Sequence, residues 1–136
     1  MADQIQLEIV TPERLVLSEP VDEVVFPTKE GYMGVLPGHA PLLAQLDIGE
    51  VSYRHGDKRH FLAVSGGYAE VLRQSVSILA RTAERAEEID LERAETARDR
   101  ARSEIEREPP EMDFRHAEIR LKRAISRIRV RERTRG

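Results

Sequence analysis

Val76-Ser-Ile-Leu-Ala-Arg-Thr-Ala-Glu-Arg-Ala-Glu-Glu-Ile-Asp-Leu-Glu-Arg-Ala94 changes its period part-way along. Val76 to Ala80 reads as the second arm of a hairpin that begins at Tyr68–Leu72 and turns at Arg73-Gln74-Ser75. From Glu84 to Arg107 the chain is dominated by Ala, Glu and Arg and contains no Gly or Pro. The pattern is two-fold before this stretch and helical after it. Upstream, Ile5, Leu7 and Ile9 alternate with Gln6 and Glu8, as in a strand with one buried face. Leu15 and Leu17 mark a second short run, and Val24 to Phe26 a third. His55-Gly56-Asp57-Lys58 separates Val51–Arg54 from Arg59–Val64 and predicts a hairpin. Ser65-Gly66-Gly67 predicts a turn or a bulge. Many short strands at even spacing predict a sandwich or small barrel.

Downstream, Leu91, Ala94, Ala97, Ala101 and Ile105 form one stripe at steps of three and four. Pro109-Pro110 stops this helix. Asp113 is the expected N-cap of a second helix, whose Phe114, Ala117, Leu121, Ala124 and Ile128 make a heptad seam. The expected fold is therefore α+β by segregation. An all-β sandwich or barrel of short antiparallel strands (residues 1–82) precedes an antiparallel two-helix hairpin (residues 83–136, helices about 84–107 and 113–132). A stripe made mostly of alanine buries little apolar area, so the hairpin must lean on the β domain, a partner or a ligand.

Composition excludes several classes. With 136 residues the chain holds one domain or a small domain with an appendage. The absence of Cys excludes disulfides and thiolate zinc sites. No histidine pair has metal-ligand spacing, and neither a Ser/His/Asp set nor a phosphate-binding Gly-Lys-Ser/Thr loop occurs. No catalytic residue and no metal site is expected. The apolar runs are too short to span a bilayer and no signal peptide is visible. The net charge of −3 conceals an asymmetry: 11 acids and 7 bases up to Thr82, then 14 acids and 15 bases. Arg115 to Gly136 holds nine Arg or Lys but only Glu118 and Glu132, which implies an acidic partner.

Gly31-Tyr-Met-Gly-Val-Leu-Pro-Gly-His-Ala-Pro-Leu-Leu43 packs three glycines, two prolines and one histidine into thirteen positions. That composition excludes a helix or a central strand and predicts a compact apolar loop suited to docking rather than chemistry.

These motifs, in this order, resemble the epsilon subunit of the F-type ATP synthase. The resemblance rests on Ile9-Val-Thr-Pro-Glu-Arg14, the Gly31–Leu43 segment, Ala63-Val-Ser-Gly-Gly-Tyr-Ala-Glu-Val71, Asp113-Phe-Arg-His-Ala-Glu118 and Leu121-Lys-Arg-Ala124. It implies a non-catalytic subunit of a proton-translocating enzyme, bound to the gamma subunit in the central stalk. It implies a contact of Gly31, Tyr32, Gly34, Pro37, Gly38 and His39 with gamma or the ring of c subunits. It also implies a hairpin that folds on the sandwich or extends toward the alpha/beta head, where it inhibits ATP hydrolysis. The implied location is the cytoplasmic face of the bacterial inner membrane, reached only through partners. The family often has Glu where this chain has Tyr32, so the ring contact is expected to be less electrostatic. Ile89-Asp-Leu-Glu-Arg-Ala94 matches the motif of ATP-binding bacterial members. By that resemblance Glu84, Asp90, Arg93, Arg100, Arg123 and Arg127 would hold ATP as a regulatory ligand, with no cofactor required. Four guanidiniums brought together by folding would repel until a triphosphate neutralised them.

Two plainer readings stand beside these. Helix arginines with i, i+4 acids such as Glu95 and Asp99 make an ordinary solvated face. A β-barrel with a basic arm, Arg115 to Arg135, also describes a nucleic-acid-binding module. The scattered positions of Phe26, Tyr53, Phe61 and Tyr68 offer no stacking platform for bases, so no nucleic-acid partner is expected.

Overall fold

The computed structural model describes residues 3–133. Eight strands come first: β1 (Ile5–Val10), β2 (Leu15–Val21), β3 (Glu23–Thr28), β4 (Gly31–Val35), β5 (Leu42–Gln45), β6 (Gly49–His55), β7 (Lys58–Val71) and β8 (Ser75–Arg85). A 3-10 turn at Ala86–Glu88 leads into α1 (Leu91–Glu106) and α2 (Glu111–Arg133). Hydrogen bonding runs β2-β1-β8-β7-β6-β3-β4, with β5 added on β7. All pairs are antiparallel except β1 with β8, which is parallel. The strands wrap into a β-sandwich.

The alternation near the N-terminus becomes the inner face of β1. Ile5, Leu7 and Ile9 are buried and pack with Val24, Phe26, Val51, Ile78 and their neighbours. The 14-residue β7 serves both halves of the sandwich. Its first part pairs with β6, from His55↔Lys58 to Gly49↔Val64. Its last part pairs with β5, from Gln45↔Tyr68 to Leu42↔Val71. Ser65-Gly66-Gly67 lies at the change of partner. It is not a turn but a bend inside one strand. Gly67 has φ +110°, and a Cβ there would stand 2.0 Å from the Leu79 carbonyl oxygen. Only glycine lets β8 approach this closely.

Gly31–Leu43 is less irregular than its composition predicts. Gly31–Val35 is edge strand β4 and Leu42–Gln45 is β5, leaving a short connection from Leu36 to Pro41. Both are strands with only one ladder neighbour, which is where Gly and Pro are tolerated.

The first helix starts later than expected. Residues 84 and 85 continue β8, because Ala63↔Glu84 and Leu62↔Arg85 complete the ladder with β7. Ladder pairing overrides the helix propensity of Ala, Glu and Arg. α1 begins after Asp90, whose side chain accepts a hydrogen bond from the Arg93 amide at 3.1 Å. The second helix begins at Glu111, not after Asp113. The Pro110 carbonyl already accepts the Phe114 amide at 2.9 Å, and Asp113 sits inside the first turn, where its charge faces the helix dipole favourably. The two helices pack on each other, and Ala94 and Ala101 of α1 and Ala117 and Ala124 of α2 are all buried.

α2 also packs against β6, β7 and the 3-10 turn. Val130 joins Ala63, Ala86, Ile89 and Phe61 in a second small core. The main core lies wholly between Ile5 and Ala83. A fragment of residues 1–90 is therefore expected to melt cooperatively by circular dichroism; a broad, non-cooperative melt would make the hairpin part of the core. Gly67→Ala should lower stability by more than the ~1–3 kcal/mol of backbone strain alone, since it adds a backbone clash.

Candidate functional site

Where the hairpin folds onto the sandwich it closes a cavity of about 580 Å³. Its floor is methyl groups: Ala83 from β8, Ala97 and Ala101 from α1, and Ala124 from α2. Its walls carry guanidiniums. Of the six positions singled out by the family motif, Glu84, Arg100, Arg123 and Arg127 line it. Asp90 and Arg93 do not. Asp90 caps α1 instead, through the Arg93 amide. Arg14 and Arg120, which the sequence did not flag, take part in the lining, as do Thr11, Glu13 and Thr82. Glu84 reaches the cavity because it stays in β8, facing α2 rather than riding on α1.

Arg127 is bound to Glu84 in a two-point contact, Nε to Oε1 at 2.7 Å and Nη2 to Oε2 at 3.3 Å. Arg120 bridges to Glu104 and so staples the two helices. Arg14 meets Glu88 at 2.7 Å. Partial burial pushes the Glu88 carboxyl upward, but the Arg85 amide and the Arg14 guanidinium outweigh it and hold Glu88 below the usual carboxylate range. Arg100 and Arg123 make no hydrogen bond or ion pair among the described residues. Positive charge thus exceeds negative charge around an open, apolar-floored space.

A second set of contacts fastens α2 to the sandwich. The buried Ser126 hydroxyl donates to the Gly49 carbonyl at 2.8 Å. Lys122 lies 3.8 Å from Asp47, which also meets Lys29 at 3.5 Å. Arg133 forks onto Glu50, Nε to Oε1 at 2.6 Å and Nη2 to Oε2 at 3.1 Å, and lies over the Phe61 ring at 4.7 Å. Sequence reading found the α1-facing seam of α2 but missed this second face. The visible signal was Ser126 and Val130, four apart and out of register with the heptad seam.

The Gly31–Leu43 residues divide between two places. Gly31 and Tyr32 border the groove beside α2, where the Tyr32 hydroxyl accepts the Glu50 amide at 3.1 Å. Pro37, Gly38 and His39 lie at the other end of β4, with the Gly38 amide on the Arg73 carbonyl at 2.8 Å. Gly34 sits between them in β4, paired with Val25. Leu36 and Leu72 are exposed in the connections that end there. Ladder register also aligns Leu15, Val10, Leu79 and Tyr68 side by side across β2, β1, β8 and β7. Leu15 is 59% exposed, Leu79 53% and Tyr68 52%, with Leu43 at 69% on neighbouring β5. An exposed apolar row of this kind suits docking against another surface. Period-two reading hid it, because it assigns apolar residues to one face only.

Two sequence families match: the ATP synthase delta/epsilon chain beta-sandwich domain over residues 4–86, and the long alpha-helix domain of the same chain over residues 87–132. The chain belongs to the epsilon-chain family of ATP synthase. It is 50% identical over 134 residues to the ATP synthase epsilon chain of Syntrophobacter fumaroxidans, covering 98% of this chain and 100% of that one. It is 48% identical over 131 residues to the epsilon chain of Nitratidesulfovibrio vulgaris, covering 96% and 98%. Among solved structures it resembles a chain of the Euglena gracilis mitochondrial ATP synthase OSCP/F1/c-ring assembly, with a TM-score of 0.81 at 32% identity over 98% of this chain and 82% of that one. A chain of the Tetrahymena thermophila mitochondrial central stalk and c-ring shares the fold at TM-score 0.54 and 16% identity, over 65% of this chain and 72% of that one. The epsilon-chain fold thus brings its own two-helix appendage against the sandwich. Among the described residues no helix is long and apolar enough to cross a membrane, and no cluster of metal-binding side chains occurs.

The Asp47 contact gives docking a pH dependence. Partial burial raises the Asp47 carboxyl, but the Ile48 amide, Lys122 and Lys29 together lower it below the ordinary value. A depressed carboxyl adds stability above its unfolded pKa, about 4, and loses it as pH falls through the lower folded value. Amide protection along the C-terminal half of α2, taken relative to the intrinsic exchange rate at each pH, should therefore fall below about pH 4. In Asp47→Asn this acid-induced change should be smaller; an unaltered acid response would remove Asp47 as its source.

Proposed function

We propose that this chain is a rotor subunit of a proton-translocating F-type ATP synthase, with no active site of its own. The apolar row Leu15–Val10–Leu79–Tyr68 and the end bearing His39, Leu36 and Leu72 suit contacts with a gamma-type stalk partner and the membrane-embedded c-ring. These contacts hold the chain at the cytoplasmic face of the bacterial inner membrane without any segment of its own entering the bilayer. Through them the sandwich couples ring rotation to the alpha/beta head.

The hairpin is the regulatory part. The observation that carries this reading is the arginine-walled cavity, which exists only while both helices lie on the sandwich. Glu84, Arg100, Arg123 and Arg127 line it. ATP held there would favour the folded hairpin by mass action on that state alone. Asp90 serves the site by fixing the start of α1, and Arg93 lies on the following turn. When the hairpin extends, α2 carries its basic residues to an acidic surface of the head and slows hydrolysis. Arg123 and Arg127 cannot serve a phosphate and a carboxylate together, so ATP in the cavity opposes inhibition.

The nucleic-acid reading loses support in the folded state. Within the basic segment, Arg115, Arg120, Lys122, Arg127 and Arg133 are already matched to Glu111, Glu104, Asp47, Glu84 and Glu50. Arg135 lies outside the described residues.

Deleting everything after Arg107 tests the regulatory role in the assembled enzyme. ATP hydrolysis should rise, most at low ATP, and the gain should shrink as salt screens the contact over a Debye length of about 8 Å. Equal hydrolysis by truncated and intact enzymes at every ATP and salt concentration would leave the sandwich as a coupling piece only.

A further inference from the structure

We infer that Arg14 and Arg120 contact the ligand of the arginine-walled cavity, so that a polyanion there is gripped by the sandwich as well as by both helices. The inference rests on the reading of this cavity as a nucleoside triphosphate site.

Arg14 ends the turn Thr11-Pro12-Glu13-Arg14 between β1 and β2. The turn is closed by the Thr11 amide on the Arg14 carbonyl at 2.9 Å, and the Arg14 amide meets Thr11 Oγ1 at 3.3 Å. Beyond this fixed backbone, the guanidinium meets Glu88 through Nη2 alone, 2.9 Å from Oε1 and 2.7 Å from Oε2. Arg120 meets Glu104 in the same way, through Nη2 alone. Both arginines line the cavity; neither Glu88 nor Glu104 does. Each carboxylate is therefore a tether outside the site. It holds the guanidinium by one nitrogen and leaves Nε and Nη1, with three N–H donors, without a partner among the described residues. Arg127 is in the opposite position. Its partner Glu84 lines the cavity, and a ligand must compete with it.

The charge count favours a polyphosphate. Five guanidiniums line the space, from Arg14, Arg100, Arg120, Arg123 and Arg127, against the carboxylates Glu13 and Glu84. A phosphate monoester, at about −1.5 to −2, matches only part of that excess of three, whereas a triphosphate matches it in full and is long enough to reach several of these arginines at once. The alanine floor offers apolar surface for a nucleoside and no hydrogen-bond partner for phosphate, so the phosphates belong at the arginine walls. Because Arg14 belongs to the sandwich, a ligand that spans Arg14 and the helix arginines ties three separate elements together.

Calorimetric titration of the full chain with ATP, ADP and AMP tests this, using wild type, Arg14→Ala, Arg120→Ala and Arg14→Lys. Each alanine variant should lose about tenfold or more in ATP affinity and much less in AMP affinity, narrowing the ATP-to-AMP ratio. Arg14→Lys keeps the charge and should recover part of the loss. Thermal melts of the same variants separate lost binding from lost folding. Folded alanine variants that bind ATP as wild type does overturn this inference alone. A wild-type chain that binds no nucleotide overturns the nucleotide reading and this inference with it.

Discussion

One buried hydrogen bond organises the rest: Ser126 Oγ to the Gly49 carbonyl. It sits where α2 crosses the first residue of β6, and it sets how closely the helix can lie. A Cβ at Gly49 would stand 2.7 Å from the Tyr32 hydroxyl and 3.0 Å from the Pro27 side chain, so a larger residue there would displace Tyr32. Left unpaired, a buried hydroxyl or carbonyl costs about 1–3 kcal/mol, so the helix gains little from sliding in either direction. Around this fixed point, three carboxylates of the sandwich, Asp47, Glu50 and Glu84, face Lys122, Arg133 and Arg127 of α2. The cavity follows from that placement. Once α2 is held, α1 must pack on it through alanines, and the space between helices and β8 is what remains.

The energetics of this arrangement are those of a movable part. Val130, Ile89, Ala86 and Ala63 form a small second core, and the alanine seam between the helices contributes modest apolar area. Much of the remaining attachment is ionic and near the surface, where each pair is worth about 0–1 kcal/mol and weakens with salt. The sandwich has a separate, larger aliphatic core centred on Phe26, Leu7, Ile9 and Ile78. The two halves can therefore differ in stability without either losing its internal structure.

Much of this was legible in the residues. Ile5, Leu7 and Ile9 announce β1, the Gly56-Asp57 turn announces the β6–β7 hairpin, and Pro109-Pro110 divides the helices. Local patterns decide such features. The misreadings share another cause. Glu84 and Arg85 look helical but are captured by Ala63 and Leu62 across the sheet. Ser65-Gly66-Gly67 looks like a turn but lets β7 pass from one partner strand to another. The Gly31–Leu43 stretch looks like a loop because edge strands may contain the residues that central strands exclude. In each case a partner distant in sequence decided. The same holds for the candidate site: the motif named Glu84, Arg100, Arg123 and Arg127, which line the cavity, and Asp90 and Arg93, which do not, whereas Arg14 lines it from another element entirely.

The parallel pairing of β1 with β8 places Gln6 beside Ser75 and Val10 beside Leu79, the first strand against the last. This orders the assembly of the molecule in time. As the chain leaves a ribosome, β1 can close onto β2 but has no partner on its other side until β8 has been made. Loop closure over that distance must precede any reward from the contact, which makes the sandwich the slow step. The helices are local and form quickly, but they emerge after β8. The hairpin can therefore be formed before the surface it rests on is complete, and its docking waits on the closure of β1 onto β8.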